Sequence, residues 1–253
     1  MRPATLLDDP KLARISSALR EAFGTRLVSA LLFGSRARGD HQPDSDYDVA
    51  VFLEDFERNR DRDILDQIRN DLGEEIWTLQ FWPFPSDGLA ERTTLMFNIR
   101  NEGAPLPGLG SPPVVAPSIS PDEGPMKPET QHLLEASARE VVKARKMLSV
   151  DEPESGARDA YHAALFAARA LIFELRNIAP KTHSGTVSLF AETAIKSGLI
   201  ESRYSGTLTH GLNIRTDVDY APLPQVTREQ AIGYVYVAID FVQAIRNVLE
   251  VRD

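Results

Sequence analysis

The sequence predicts an α+β domain with a mixed α/β sheet, followed by an all-α helical bundle. Three observations carry this. Helical and strand-length apolar patterns alternate through the first part of the chain. A proline- and glycine-rich break then interrupts it, and only helical periodicity follows. The break runs from Gly103 to Pro128, 26 residues holding eight of the 17 prolines and four glycines. Such a stretch can continue neither a helix nor a central strand and reads as a semi-stiff linker. The domains are therefore expected at 1–104 and 128–253, joined by 105–127.

In the first domain, Asp9-Pro10 starts a helix with a capping oxygen and a proline at the first helical position. Leu12, Ile15, Leu19 and Phe23 follow at helical spacing, and Gly24 closes it. Leu27 to Phe33 and Tyr47 to Leu53 are apolar runs of strand length. Ile64, Leu65, Ile68 and Leu72 mark a helix ended by Gly73, and Ile76 to Trp82 reads as a third strand. Ser86 is expected to cap a helix through Leu89, Met96 and Ile99. In the second domain, helices are expected through Leu133–Leu148, Ala157–Leu175, Thr186–Lys196 and Arg228–Val251, which together suggest a bundle.

Composition narrows the function classes. A 42% hydrophobic and 26% charged chain is that of a soluble globular protein. Net charge is −9, of which residues 1–110 carry −6 and the remainder −3, so neither part is a general polyanion binder. A local basic site is best sought at Arg36 and Arg38. The absence of cysteine excludes disulfides and thiolate metal sites and suits a cytoplasmic protein. No signal peptide is read at the N-terminus, and no apolar stretch approaches the roughly 20 residues needed to span a bilayer, so no membrane partner is expected.

The chemistry is concentrated in Leu31-Leu32-Phe33-Gly34-Ser35-Arg36-Ala37-Arg38-Gly39-Asp40 and Asp44-Ser45-Asp46-Tyr47-Asp48-Val49-Ala50-Val51. A buried strand ends at Gly34, where glycine lets the backbone approach a ligand and the Ser35 hydroxyl can donate to phosphate. Asp46 and Asp48, two apart on a strand, face one side, with Tyr47 on the other. Two carboxylates there make a hard oxygen site suited to Mg²⁺ (or Mn²⁺), with phosphate oxygens and waters as the other ligands. His41, in the intervening turn, either contacts phosphate or is solvated. A Gly-Ser turn or an Asp-x-Asp pair alone usually marks a turn or a solvated strand end; their order after a buried strand makes the combination specific.

This segment resembles the minimal nucleotidyltransferases of the DNA polymerase β superfamily, on the match of Gly34, Ser35, Arg36, Ala37, Arg38, Gly39, Ser45, Asp46 and Asp48. The resemblance implies a nucleoside triphosphate substrate cradled by Gly34 and Ser35, phosphate contact from Arg38, and Mg²⁺ held by Asp46 and Asp48. The superfamily has a third carboxylate on a later strand. The matching strand here, Ile76–Trp82, has none. Glu74 and Glu75 precede it, Asp87 follows it, and Thr78 and Gln80 share one of its faces. Either Glu75 reaches in or a neutral side chain replaces the acid, with slower transfer.

The helical part resembles the HEPN superfamily, on Arg158–Ala170, Pro180-Lys181-Thr182-His183-Ser184-Gly185 and Arg215-Thr216-Asp217-Val218-Asp219-Tyr220. The resemblance implies a homodimer paired through this domain. Active HEPN ribonucleases place a histidine four to six residues after an arginine; Tyr220 stands there instead. An unperturbed tyrosine is a poor base at neutral pH, so Arg215 and Tyr220 read as packing or pairing residues. His183 could substitute for the missing base; His162, on a helix, reads as a core or interface residue. His132 and His210 carry no pattern.

Three functions compete. The first is transfer of a nucleoside monophosphate from an NTP to an acceptor hydroxyl on protein, RNA or a small molecule, in a toxin–antitoxin-like setting, with Tyr220 a candidate acceptor. The second is a nucleotide-sensing regulatory protein with a dimerising helical module. The third is a HEPN ribonuclease restrained by the first domain.

Overall fold

The computed structural model describes residues 9–73, 78–110, 126–220 and 226–250. The chain folds as two compact units, residues 1–119 and 120–253.

The first unit opens with α1 (Pro10–Phe23), capped by the Asp9 side chain, which accepts from the Lys11 N–H at 2.9 Å. Then come β1 (Leu27–Phe33), a single turn α2 (Ser35–Arg38), β2 (Tyr47–Leu53), α3 (Arg58–Leu72), β3 (Leu79–Pro85), α4 (Thr94–Glu102) and β4 (Ala104–Pro105). The sheet order is β3-β2-β1-β4. Strand β1 is antiparallel to β2 and β4, and β3 runs parallel to β2, so the sheet is mixed as expected. One face buries Leu32, Val49, Val51, Leu53 and Leu79 with Leu12, Ile15 and Leu19 of α1 and Leu65 and Ile68 of α3. The other buries Leu31, Phe33, Ala50 and Phe52 with Met96 and Ile99 of α4. Strand alternation puts Asp48 on the α4 face.

Three expectations need correction. The third strand spans Leu79–Pro85, not Ile76–Trp82; its prolines are tolerated because it is an edge strand. The helix expected from Ser86 begins only at Thr94. Its cap is the Thr93 hydroxyl, which accepts from the Met96 N–H at 3.2 Å, while Gly88–Ala90 forms a separate 3₁₀ turn. Residues placed at the start of the linker pack on the first unit: Pro105 belongs to β4, and buried Leu106 donates its N–H to the Ala30 carbonyl at 3.0 Å. The linker's residues 111–125 lie outside the described residues.

The second unit contains α5 (Pro128–Ser149), α6 (Pro153–Arg176), α7 (His183–Phe190), α8 (Thr207–Tyr220) and α9 (Arg228–Glu250). Helix α6 packs against all four others. Its buried alanines at 157, 160, 163, 164, 167, 168 and 170 let backbones approach closely. Helix α8 has no apolar periodicity to announce it. It forms where Gly211 fits: a Cβ there would overlap the Tyr234 hydroxyl and lie 2.8 Å from the Tyr161 ring. Among the described residues α9 is, against expectation, long and apolar enough to cross a membrane by composition. Its Ala231, Tyr234, Val235, Ala238, Phe241, Val242, Ile245 and Leu249 are buried within this unit.

Candidate functional site

The site is assembled where β1 ends against β2. Gly34 has φ 81° and ψ −156°, a conformation essentially restricted to glycine. A Cβ on residue 34 would also lie 2.7 Å from Asp48 Oδ2. Two independent constraints therefore select glycine here. Ser35 follows as the first residue of α2, and Gly39, at φ 81°, ends that turn.

Asp46 and Asp48 come to one side, as alternation requires, and Tyr47 goes to the other. Buried Tyr47 donates its hydroxyl to Asp9 Oδ2 at 2.8 Å. Burial first, then that hydrogen bond, pushes its pKa up to about 12. Each carboxylate receives a donor from β3. Gln80 Nε2 donates to Asp46 Oδ2 at 2.9 Å, and Trp82 Nε1 donates to Asp48 Oδ1 at 3.2 Å. Gln80 is the Cα partner of Asp48 across the parallel pair. A neutral amide thus faces the carboxylates from the strand where the superfamily carries its third acid. Glu75 lies outside the described residues, and Asp87 sits in the turn after β3.

The two arginines of the turn diverge. Arg36 stacks on the Tyr47 ring, 3.8 Å from its centroid, and donates to the carbonyls of Ser45 (2.7 Å) and Pro43 (3.1 Å). It clamps the loop that carries Asp46. Arg38 pairs with Asp40 at 3.2 Å and with Glu102 Oε2 at 3.1 Å. Burial alone would lower the Arg38 pKa, but the hydrogen bonds to these two acids reverse that and raise it.

Glu102 is a site residue that the sequence does not mark. The last residue of α4, it accepts the Gly34 N–H at 3.2 Å with its other oxygen. A carboxylate therefore sits on both the glycine amide and the arginine of the motif. No local pattern marks it, because its partners lie 64 and 68 residues earlier.

Beside the carboxylates, a cleft of about 720 Å³ runs along β3, lined by Asp46, Gln80 and Trp82 at one part and by Arg58, Arg62 and Arg69 of α3 at another. No group of three or more His, Asp or Glu residues able to hold a metal occurs among the described residues. Asp46 and Asp48 supply two hard oxygen ligands, a set that fits Mg²⁺ only when phosphate oxygens and waters complete the shell.

In the second unit, Tyr161, at 0% exposure, hydrogen-bonds through its hydroxyl to His183 Nδ1, and the two rings stack. Burial, then the charges of Arg169 and Arg215, lowers the His183 pKa; burial likewise lowers those of His162 and Arg169. Arg215 Nε lies 2.7 Å from Asp219 Oδ2, although its N–H is not aligned as a hydrogen bond. The Arg215 guanidinium lies 5.3 Å from the Tyr220 ring centroid. Of the three residues singled out in the sequence, Arg215 contacts Tyr220 and its charge also reaches His183, which hydrogen-bonds Tyr161.

Two family models match the chain. The family model described as nucleotidyltransferase domain matches residues 12–95, and the model described as HEPN domain matches residues 130–248. The chain is a nucleotidyltransferase domain followed by a HEPN domain. A candidate toxin of Methanocaldococcus jannaschii is 28% identical over 125 residues, covering 49% of this chain and 92% of that protein. The crystal structure of spectinomycin adenyltransferase AAD(9) from Enterococcus faecialis, with ATP and spectinomycin, superposes with a TM-score of 0.54. It covers 92% of this chain and 98% of that one at 11% identity, a likeness of fold.

Proposed function

We propose that the nucleotidyltransferase domain transfers a nucleoside monophosphate from an NTP to an acceptor hydroxyl. The observation that carries this reading is the apposition of Gly34 and Asp48, which leaves no room for a Cβ between the turn and the carboxylate. Gly34 and Ser35 cradle the triphosphate, and Arg38 contacts it once Glu102 yields. Asp46 and Asp48 hold Mg²⁺ (or Mn²⁺). When bound, the metal neutralises charge on the reacting phosphate and the leaving group. The acceptor oxygen attacks the α-phosphorus, and pyrophosphate leaves. No acid faces the acceptor from β3, because Gln80 can accept no proton at neutral pH. Positioned general-base help is worth about 10²–10⁴-fold, so transfer is slow for such a site.

The test is incubation with α-labelled NTP and Mg²⁺, comparing wild type with Asp46→Ala. Label transfer that the variant lacks supports the reading; equal behaviour of the two proteins defeats it.

The Gln80–Asp46 hydrogen bond also favours a second reading, a nucleotide-sensing regulator that binds NTP without turnover. Single-turnover assays separate the two. The ribonuclease reading finds less support, since Arg215 is engaged by Asp219 and Tyr220. RNA cleavage that disappears in Arg215→Ala would restore it. Likeness to a candidate toxin supports a toxin–antitoxin-like setting. In this reading the HEPN domain dimerises, and a monomer in analytical ultracentrifugation would count against that. A protein acceptor is the competing case: Tyr220 is 70% exposed, and mass spectrometry after incubation with NTP would detect its modification.

A further inference from the structure

We infer that the cleft along the free edge of β3 is the acceptor subsite and takes a single-stranded nucleic acid with a terminal hydroxyl. The inference rests on the transferase reading above and names its acceptor class.

The cleft has two chemistries. On α3, Arg58, Arg62 and Arg69 line it together with Leu65. Positions 58, 62, 65 and 69 fall on one helical stripe, which extends roughly 16 Å along the axis. Arg58 and Arg62 are exposed, while Arg69 pairs with Asp66 at 2.9 Å. The acidic lining residues are Asp46, Asp66 and Glu91. Asp66 is matched by Arg69 and, on the transferase reading, Asp46 is committed to the metal, so among the described lining residues Glu91 is the acid left to oppose Arg58 and Arg62. On β3, Trp82 is 39% exposed with its indole N–H on Asp48. An aromatic face is thereby set beside the carboxylates. Arginines that track phosphates and an aromatic platform for a base are the two components of single-strand recognition.

The same edge disfavours a protein acceptor added as a strand. The Thr78 carbonyl accepts the Tyr47 N–H at 3.0 Å, so even-numbered residues of β3 turn their backbone groups to β2 and odd-numbered ones turn theirs outward. Pro83 and Pro85 occupy outward positions and have no N–H to offer an incoming strand. A polycationic small acceptor would meet like charge at Arg58 and Arg62.

In the transfer, the terminal ribose oxygen forms the bond to the α-phosphorus and the bond to the bridging oxygen breaks. Pyrophosphate leaves with that electron pair, and the hydroxyl proton passes to solvent.

The test uses the full chain, a fluorescein-labelled single-stranded RNA with a free 3′ hydroxyl, and the double reversal Arg58→Glu/Arg62→Glu on the exposed face of α3. Anisotropy without nucleotide should show the variant binding RNA at least about tenfold more weakly. Its dependence on log salt should be shallower by about 1.4 for two lost phosphate contacts on a single strand. Binding of a non-hydrolysable NTP with Mg²⁺ should be unchanged, and label transfer to the RNA end should fall. RNA binding equal in the two proteins, no RNA binding by wild type, or transfer to a protein hydroxyl in preference to RNA each overturns the inference. Because NTP binding is read separately, its failure in wild type counts against the transferase reading and not against the groove.

Discussion

Gln80 donates its side-chain amide to Asp46 Oδ2 at 2.9 Å. The strand that faces the carboxylate pair thus contributes a hydrogen-bond donor in place of an acid. The amide orients Asp46, but it also occupies one of that carboxylate's lone-pair directions and cannot accept a proton from the acceptor. Gln80→Glu should raise the single-turnover rate of label transfer by about tenfold or more, within the ~10²–10⁴-fold range of general-base catalysis. The gain should appear as pH rises through the new carboxyl's pKa. A flat or reduced rate would mean that Gln80 does not stand where a base is needed.

Gly34→Ala should eliminate NTP binding. The substitution forces a non-glycine residue to φ 81° and drives its Cβ onto Asp48 Oδ2. Backbone strain of this kind costs about 1–3 kcal/mol, so the melting temperature should fall as well. Nucleotide titration and thermal unfolding together check this, and wild-type affinity in the variant would contradict it.

Glu102 holds the Gly34 N–H and the Arg38 guanidinium, groups that a triphosphate would also seek. Removing its charge should therefore favour the nucleotide. Glu102→Gln is expected to lower the Kd for Mg–NTP about tenfold, as one charge-assisted contact of about 1.5–3 kcal/mol no longer competes at full strength. Weaker binding would instead show that Glu102 orients Arg38 for the ligand.

Asp61 anchors the start of α3. Its carboxylate accepts from Arg26 and Arg60, each at 2.9 Å, and from the Glu57 N–H, also at 2.9 Å. Burial alone would raise its pKa; the hydrogen bonds from Arg60, Glu57 and Arg26 overcome this and lower it to about 2. A carboxyl whose folded pKa is depressed stabilises the fold above its unfolded pKa of about 3.9 and loses that contribution as pH falls through the folded value. Stability should therefore decline between about pH 4 and pH 2, and Asp61→Asn should remove that part of the pH dependence. It should also cost about 2 kcal/mol, less than the ~3–5 of a fully buried pair because both arginines are partly exposed. Urea unfolding at several pH values checks both.

Where chemistry and local structure coincide, the sequence was readable. The Gly34-Ser35 turn and the Asp46-x-Asp48 alternation depend on neighbours within a few residues, and so did the Asp9 cap of α1. Features set by distant partners were not readable. Strand β3 is displaced from the apolar run that suggested it because its pairing with β2 begins at Leu79 and because Pro83 and Pro85 are acceptable at an edge. Helix α8 depends on Gly211 fitting against Tyr161 and Tyr234. Arg36 forms no basic site with Arg38, because it is engaged by Tyr47 and the loop carbonyls, and the exposed arginines at the cleft belong to α3. Glu102 reaches the motif only through the fold.

The proposed role of Asp46 and Asp48 is to hold a divalent cation together with an NTP. Calorimetric titration of a non-hydrolysable NTP with and without Mg²⁺, on wild type and on Asp46→Asn/Asp48→Asn, tests it most directly. Wild type is expected to bind in a Mg²⁺-dependent way, and the double variant to lose that binding while it remains folded. Binding that is indifferent to Mg²⁺, or retained by the double variant, would contradict it.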